Sequence, residues 1–266
     1  MTAEEEIAQV PVVAEGGDRQ IERSARAGGG AAVSGTATIT VAEELRWLLP
    51  ARNRREPVPV VVDGVNSVLD VVESLGVPRT EIGLFLVNDG VVAPGYRPRG
   101  GDRIVVEALV RPHVISAQRF LLDVHLGSLA RRMRLLGIDT AYQNAADDPE
   151  LVVQATAENR VLLTADRGLL RRKALPCGAL IRGQRVDEQL ADILDRFALT
   201  PAPWTRCPAC NGLLRPASLE EVAPLIEPGT RRTYQQFHLC QGCGKPYWRG
   251  AHAEHLSQIV NASVVA

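Results

Sequence analysis

QRFLLD (residues 118–123) and RVLLTAD (residues 160–166) decide the reading of this chain. Each is a short apolar run that reads as a buried strand, closes on an aspartate and passes at once into helix-like sequence. GIDTAY (137–142) and CGALIRG (177–183) are two more runs of the same kind. Helical segments separate them. LGSLARRMRLLG (126–137) sets Leu126, Leu129, Ala130, Met133 and Leu136 on one face. Residues 149–159 follow, with Asp148 as the expected cap and Pro149 at the first helical position, and residues 167–173 form a third segment. VDEQLADILDRFAL (186–199) follows the last strand. Strands alternating with helices imply right-handed crossovers and a parallel sheet. The carboxyl ends of such strands line one edge, and ligands bind there. Asp123 and Asp166 are delivered to that edge by different strands and can share a divalent cation.

The chain has 266 residues, 45% of them apolar, with only 4% aromatics and a net charge of -1. That allows two or three small cores of Val, Leu, Ala and Ile, and it excludes a globally basic nucleic-acid binder. No apolar run reaches membrane-spanning length. The acidic start MTAEEEIAQV lacks a signal-peptide layout, so a cytoplasmic protein is expected, in which cysteines serve as metal ligands or free thiols. Residues 1–35, with AGGGAAVSG, read as a disordered tail. Residues 36–111 form a separate unit: TATITVA and VPVVVDG as strands, SVLDVVESLGVP as a helix capped by Ser67 and stopped at Gly76, EIGLFLVNDGVV as a hairpin, and GGDRIVVEALV as a closing strand.

Cys207-Pro-Ala-Cys210 and Cys240-Gln-Gly-Cys243 are two Cys-x-x-Cys pairs. Two such knuckles supply the four thiolates of a closed, structural Zn²⁺ site, so residues 201–258 read as a zinc ribbon, with Val222, Leu225, Ile226 and Phe237 of the intervening insert leaning on it. Cys177 reads as a buried thiol. Trp248 can stack on a base or pack the ribbon against its neighbour, and four thiolates leave no vacancy for His252 or His255.

Two further acids, Asp139 and Asp148, lie in and just after the second strand. Clustered carboxylates are costly without a cation, and one or two Mg²⁺ ions held by a few carboxylates suit phosphodiester hydrolysis. Helix capping is the competing explanation for Asp123, Asp148, Asp166 and Asp187. Side chains turned into caps would favour it.

The spacing D-x-x-L-G-x-L-A-R-x-x-R-L-L-G-x-D-T from Asp123, then R-V-L-L-T-x-D-R-x-L-L from Arg160, then R-C-P-x-C-N, C-x-x-C-G and Y-W-x-G-x-H, resembles the Mut-seven C-terminal RNase family, a branch of the PIN-like nucleases. The unit upstream resembles the ubiquitin-like module of bacterial members, and also the small sulfur carriers. Those carriers end in Gly-Gly, whereas here the last strand runs into Val110-Arg111-Pro112, so sulfur transfer is not carried over. The resemblance implies an α/β chain: a ubiquitin-like β-grasp domain (36–111), a PIN-like domain with a three-layer parallel sheet (116–200) and the zinc ribbon. It implies a Mg²⁺- or Mn²⁺-dependent endoribonuclease with Asp123 and Asp166 on the family's acidic positions and Asp139 and Asp148 beside them. Either Asp148 or Glu150 answers to the acid that these nucleases carry after the second strand. Arg131, Arg134 and Arg167 are the candidate RNA contacts. The alternatives are a non-catalytic RNA-binding protein, or an adaptor whose ubiquitin-like module recruits a protein partner.

Overall fold

The computed structural model describes residues 34–55 and 57–249. The expected tail lies outside them except for its last two positions, as do His252 and His255. The N-terminal module contains β1 (Gly35–Val41), α1 (Glu43–Arg46), β2 (Val58–Val62), α2 (Val68–Ser74), β3 (Ile82–Val87), β4 (Gly90–Val92) and β5 (Arg103–Ala108). Its sheet runs β2-β1-β5-β3-β4, with β1 and β5 parallel and the other pairs antiparallel. This is the expected β-grasp. Ser67 caps α2 in a reciprocal box with Asp70. Asn88 and Asp89, at φ 49° and 71°, make the tight β3–β4 turn. The sequence reading did not contain α1 or the 3-10 turn Ala51–Asn53. Both are too short to show a period, but α1 and the link after it bury Leu45, Leu48 and Leu49.

The second unit contains β6 (Arg119–Leu122), α3 (Gly127–Leu135), β7 (Asp139–Tyr142), α4 (Asp148–Ala157), β8 (Val161–Thr164), α5 (Arg167–Leu170), β9 (Gly178–Leu180) and α6 (Val186–Arg196). All strand pairs are parallel, in the order β7-β6-β8-β9. Strand alternation divides the core. Phe120, Leu122 and Leu163 pack with Leu129 and Met133 of α3 and with Leu190 and Ile193 of α6. Leu121 and Leu162 join the opposite cluster, which takes Leu151 and Ala155 from α4 and Leu48, Val77 and Ile82 from the β-grasp module. The module therefore covers part of one face of the parallel sheet and shares its core.

A buried ion pair fastens that junction. Arg196 Nη2 lies 2.9 Å from Glu81 Oε1, and the two side chains are 1% and 2% exposed. Glu81 Oε1 also accepts from the Leu180 N–H, and Arg196 donates to His113 Nδ1 and the Leu180 carbonyl. With all three guanidinium nitrogens of Arg196 donating and Glu81 Oε1 accepting twice, the pair fixes orientation, and losing either partner would strand a charge at about 3–5 kcal/mol.

The third unit is an antiparallel sheet of β10 (Leu214–Ala217), β11 (Phe237–Cys240) and β12 (Pro246–Trp248), with α7 (Leu219–Val222) and α8 (Pro228–Thr233) in the insert. Val222, Ile226 and Phe237 form its core, while Leu225 points outward at 53% exposure, contrary to expectation. Trp248 packs beside Tyr234, ring centroids 6.2 Å apart, so it belongs to the ribbon's own core. Among the described residues no helix is long and apolar enough to cross a membrane.

Candidate active site

The chain leaves β6 for β7 on one side, then crosses to β8 on the other, so the direction of winding reverses between β6 and β8. In open parallel sheets that reversal splays the connections apart and opens a crevice at the carboxyl ends. Asp123 follows β6 and Asp166 follows β8, which puts both at this crevice.

Thr164 ties them together. Its hydroxyl, fully buried, donates to Asp123 Oδ2 at 2.6 Å and accepts from the Asp166 N–H at 2.9 Å. Asp123 stands at the N-cap position of the turn Val124–Leu126 but makes no side-chain cap bond. Asp166 does cap: its Oδ1 accepts from the Gly168 N–H at 2.7 Å. Each carboxylate keeps its other oxygen without a hydrogen-bond partner among the described residues. Asp123 is 8% exposed, and among the described residues no arginine or lysine forms an ion pair with it. A buried carboxylate held by one hydroxyl and no cation is costly. Two hard oxygens at a crevice fit a cation such as Mg²⁺, which keeps several waters and needs few protein ligands. The coupling role of Thr164 was missed, although the T-A-D run placed it beside the acid.

Among the described residues no third acid joins this pair within metal-sharing distance. Asp139 begins β7, opposite Arg119, and so lies at the other end of the sheet. Its Oδ1 accepts from Arg160 at 2.7 Å and from Asn211 at 2.9 Å, and its Oδ2 lies 2.9 Å from Arg206. Burial pushes its pKa up, but the hydrogen bonds from Arg160 and Asn211 and the charges of Arg160 and Arg206 outweigh burial and hold it below the usual carboxylate range. Asp139 is thus a saturated anchor at the opposite end of the sheet from Asp123 and Asp166. Asp148 pairs with Arg172 at 3.0 Å. The cap of α4 is Asp147, in a reciprocal box with Glu150, and Pro149 stands second in the helix. The D-x-x-E spacing signals that box. Arg185, not Asp187, occupies the N-cap of α6.

Two of the three candidate RNA contacts hold protein instead. Arg134 is 6% exposed and donates to the carbonyls of Thr140 and Ala209, which seats the first knuckle on the sheet. Arg167 Nη1 donates to the Leu48 carbonyl at 2.6 Å, and its guanidinium lies 5.4 Å from the Trp47 ring. Arg182, beyond β9, approaches the same ring at 5.5 Å. Arg131 stays exposed.

The four cysteine sulfurs lie within 4.8 Å of one another, with Cys207–Cys243 at 3.7 Å and Cys210–Cys240 at 3.4 Å. A tetrahedron with metal–sulfur bonds of about 2.3 Å has edges of about 3.8 Å. The two knuckles match. Asn211 and Gly244 each follow a second cysteine at φ 69° and 70°, and each N–H bonds back to the carbonyl of the first. At Gly212 a Cβ would lie 3.0 Å from the Cys240 sulfur. Burial and contact with neighbouring sulfurs push Cys210 up to about 12; in Cys207 burial is outweighed by a hydrogen bond to Tyr247 and by backbone N–H groups, which bring it to about 7. Among the described residues the four-cysteine cluster is the only metal-competent group of three or more ligands. Cys177 is half-buried, and burial raises its pKa.

Residues 118–260 match the family described as Mut7-C RNAse domain. The chain belongs to this family. Residues 34–114 match the Mut7-C ubiquitin family, so the β-grasp unit is the ubiquitin-like module of this Mut7-C protein. No curated protein and no solved structure gives a match. The RNAse-domain match supports a nuclease-like role for residues 118–260, and the ribbon's four thiols are compatible with zinc.

Proposed function

We propose that this chain is a Mg²⁺- or Mn²⁺-dependent endoribonuclease that cleaves single-stranded RNA at the Asp123–Asp166 crevice. The observation that supports this most directly is the Thr164-linked pair of carboxylates, each with an unpartnered oxygen, at the reversal point of the sheet in an RNAse-family domain. Asp123 and Asp166 would hold the cation, which when bound neutralises charge on a scissile phosphate and lowers the pKa of a coordinated water. Thr164 fixes the Asp123 carboxylate in one orientation, and the capping bond of Asp166 does the same for its partner. The buried position of Asp123 limits competing water, while exposed Asp166 faces the substrate side. Structural zinc would be held by Cys207, Cys210, Cys240 and Cys243.

The capping bond of Asp166 is also what a non-catalytic RNA-binding protein would show. Incubating the purified chain with a long labelled single-stranded RNA separates the two readings. The nuclease gives internal cuts on addition of Mg²⁺ or Mn²⁺, and Asp123→Asn and Asp166→Asn do not. Intact RNA with both metals, or equal cutting by the variants, would overturn the proposal.

A further inference from the structure

With Arg134 and Arg167 engaged inside the protein, two of the three expected cations are withdrawn from a polyanion at the crevice. The structure supplies others from an unexpected side. Through its bond to the Leu48 carbonyl, Arg167, the residue directly after Asp166, grips a stretch of the ubiquitin-like module that carries Arg46, Arg52, Arg54 and Arg55 within ten residues. Arg54 in turn donates to the carbonyls of Trp47 and Leu49. A continuous path of contacts therefore runs from Asp166 through Arg167 and Trp47 to Arg54. All four arginines are exposed, and none joins an ion pair among the described residues. The same module's Arg79, Arg103 and Arg111 are each paired to a carboxylate. Three of the four, Arg46, Arg54 and Arg55, rim with Asn53 a recess of about 180 Å³, and Arg52 lies outside its lining. Backbone carbonyls brace two of those guanidiniums, Arg46 on Val41 and Arg54 on Leu49, so part of the ordering cost of binding is already met.

We infer that this arginine-rimmed recess binds the sugar–phosphate backbone of the single-stranded RNA whose scissile bond lies at the Asp123–Asp166 crevice. The inference rests on the nuclease reading. It makes the ubiquitin-like module part of the substrate track. Guanidiniums suit the role because their planar donors match phosphate oxygens two at a time. The buried Glu81–Arg196 pair and the shared core hold the module still against the nuclease unit, so recess and crevice keep a fixed separation.

The test measures binding apart from cleavage. A fluorescein-labelled single-stranded oligoribonucleotide is titrated with the full chain without added Mg²⁺ or Mn²⁺, by fluorescence anisotropy at several salt concentrations. Arg52→Gln/Arg55→Gln removes two side chains that make no hydrogen bond within the described protein, and a triple variant adds Arg54→Gln. Arg97→Gln/Arg99→Gln is the control, because Arg97 and Arg99 are exposed near the start of β1, at the other end of that strand. The double variant should bind about tenfold more weakly, with a salt slope shallower by about 1.4, the value for two lost phosphate contacts. The control should bind like wild type, and all variants should keep the wild-type unfolding midpoint. Unchanged affinity in both the double and triple variants overturns the RNA track while wild-type cleavage leaves the nuclease intact. So does polyglutamate displacing the RNA at equal charge, since the recess would then be a docking face for acidic protein. A wild type that neither binds nor cuts RNA removes both proposals.

Discussion

Asp123 and Asp139 belong to neighbouring strands of one parallel sheet, yet their surroundings treat them in opposite ways. Asp139, at the amino end of β7, is surrounded by Arg160, Arg206 and Asn211. Asp123, past the carboxyl end of β6, is more deeply buried but receives a single hydroxyl. The protein neutralises the carboxylate that joins its parts and leaves un-neutralised the one facing the crevice. An acid with internal cations has its work inside the fold. An acid denied them is prepared for a cation from outside.

Removing the ribbon metal should have the largest effect and should touch only one of the two edges. Three buried apolar residues cannot hold a three-stranded sheet alone, and structural zinc contributes on the order of 10 kcal/mol to such a unit. Chelation should abolish hydrogen-exchange protection in β10–β12 and loosen the Asp139 edge, which borrows Arg206 and Asn211 from that unit, while β6 and β8 stay protected. Retained protection in the ribbon would count against a structural metal, as would a metal analysis near zero.

Paired substitutions probe the contrast directly. Asp123→Asn should lower RNA cleavage on the order of 10³-fold, about 4 kcal/mol of barrier, while thermal stability stays level or rises because a buried charge is gone. Asp139→Asn should keep the cleavage rate of the folded protein but cost about 2 kcal/mol in urea unfolding, since Arg160 keeps Glu158 but Arg206 loses its carboxylate. If the two variants exchanged these outcomes, the assignment of roles would be reversed. Thr164→Val is a milder change: with the linking hydroxyl lost, Mn²⁺ affinity measured by electron paramagnetic resonance should fall about tenfold. Unchanged affinity would mean that Asp123 needs no alignment.

Acid titration gives the smallest effect. The Asp139 pKa is lowered in the folded chain, so its contribution is complete above the unfolded value of about 3.9 and disappears as pH falls below it toward the folded value. The stability gap between wild type and Asp139→Asn should therefore close only below about pH 4. A gap that closed near neutrality would have another origin.

What was legible in the sequence was set by local chemistry. The runs FLL, VLL and GAL are fully buried strands whose apolar character has no other outlet. The cysteine pairs announce themselves by spacing. Partner choice was not legible. Arg134 and Arg167 have the composition of phosphate contacts, but which acceptor each finds depends on backbone carbonyls brought near by tertiary structure. Asp139 follows a glycine and an isoleucine as any strand end might; only the arrival of Arg160 from β8's approach and Asn211 from the ribbon shows its purpose. The four-residue helix α1 was too short to show a period, and with it the contact between Trp47 and Arg167 stayed hidden.

The Glu81–Arg196 latch also has a history on the ribosome. Its two halves are 115 residues apart. At 5–20 residues per second, roughly 6–23 s pass between synthesis of the glutamate and of its arginine. During that interval the nascent module presents a carboxylate beside an unfilled apolar face of Leu48, Val77 and Ile82. The newborn chain is thus at its most sticky before its second half emerges, and slow codons or a stall between residues 108 and 196 would cost more soluble protein than the same delay anywhere later.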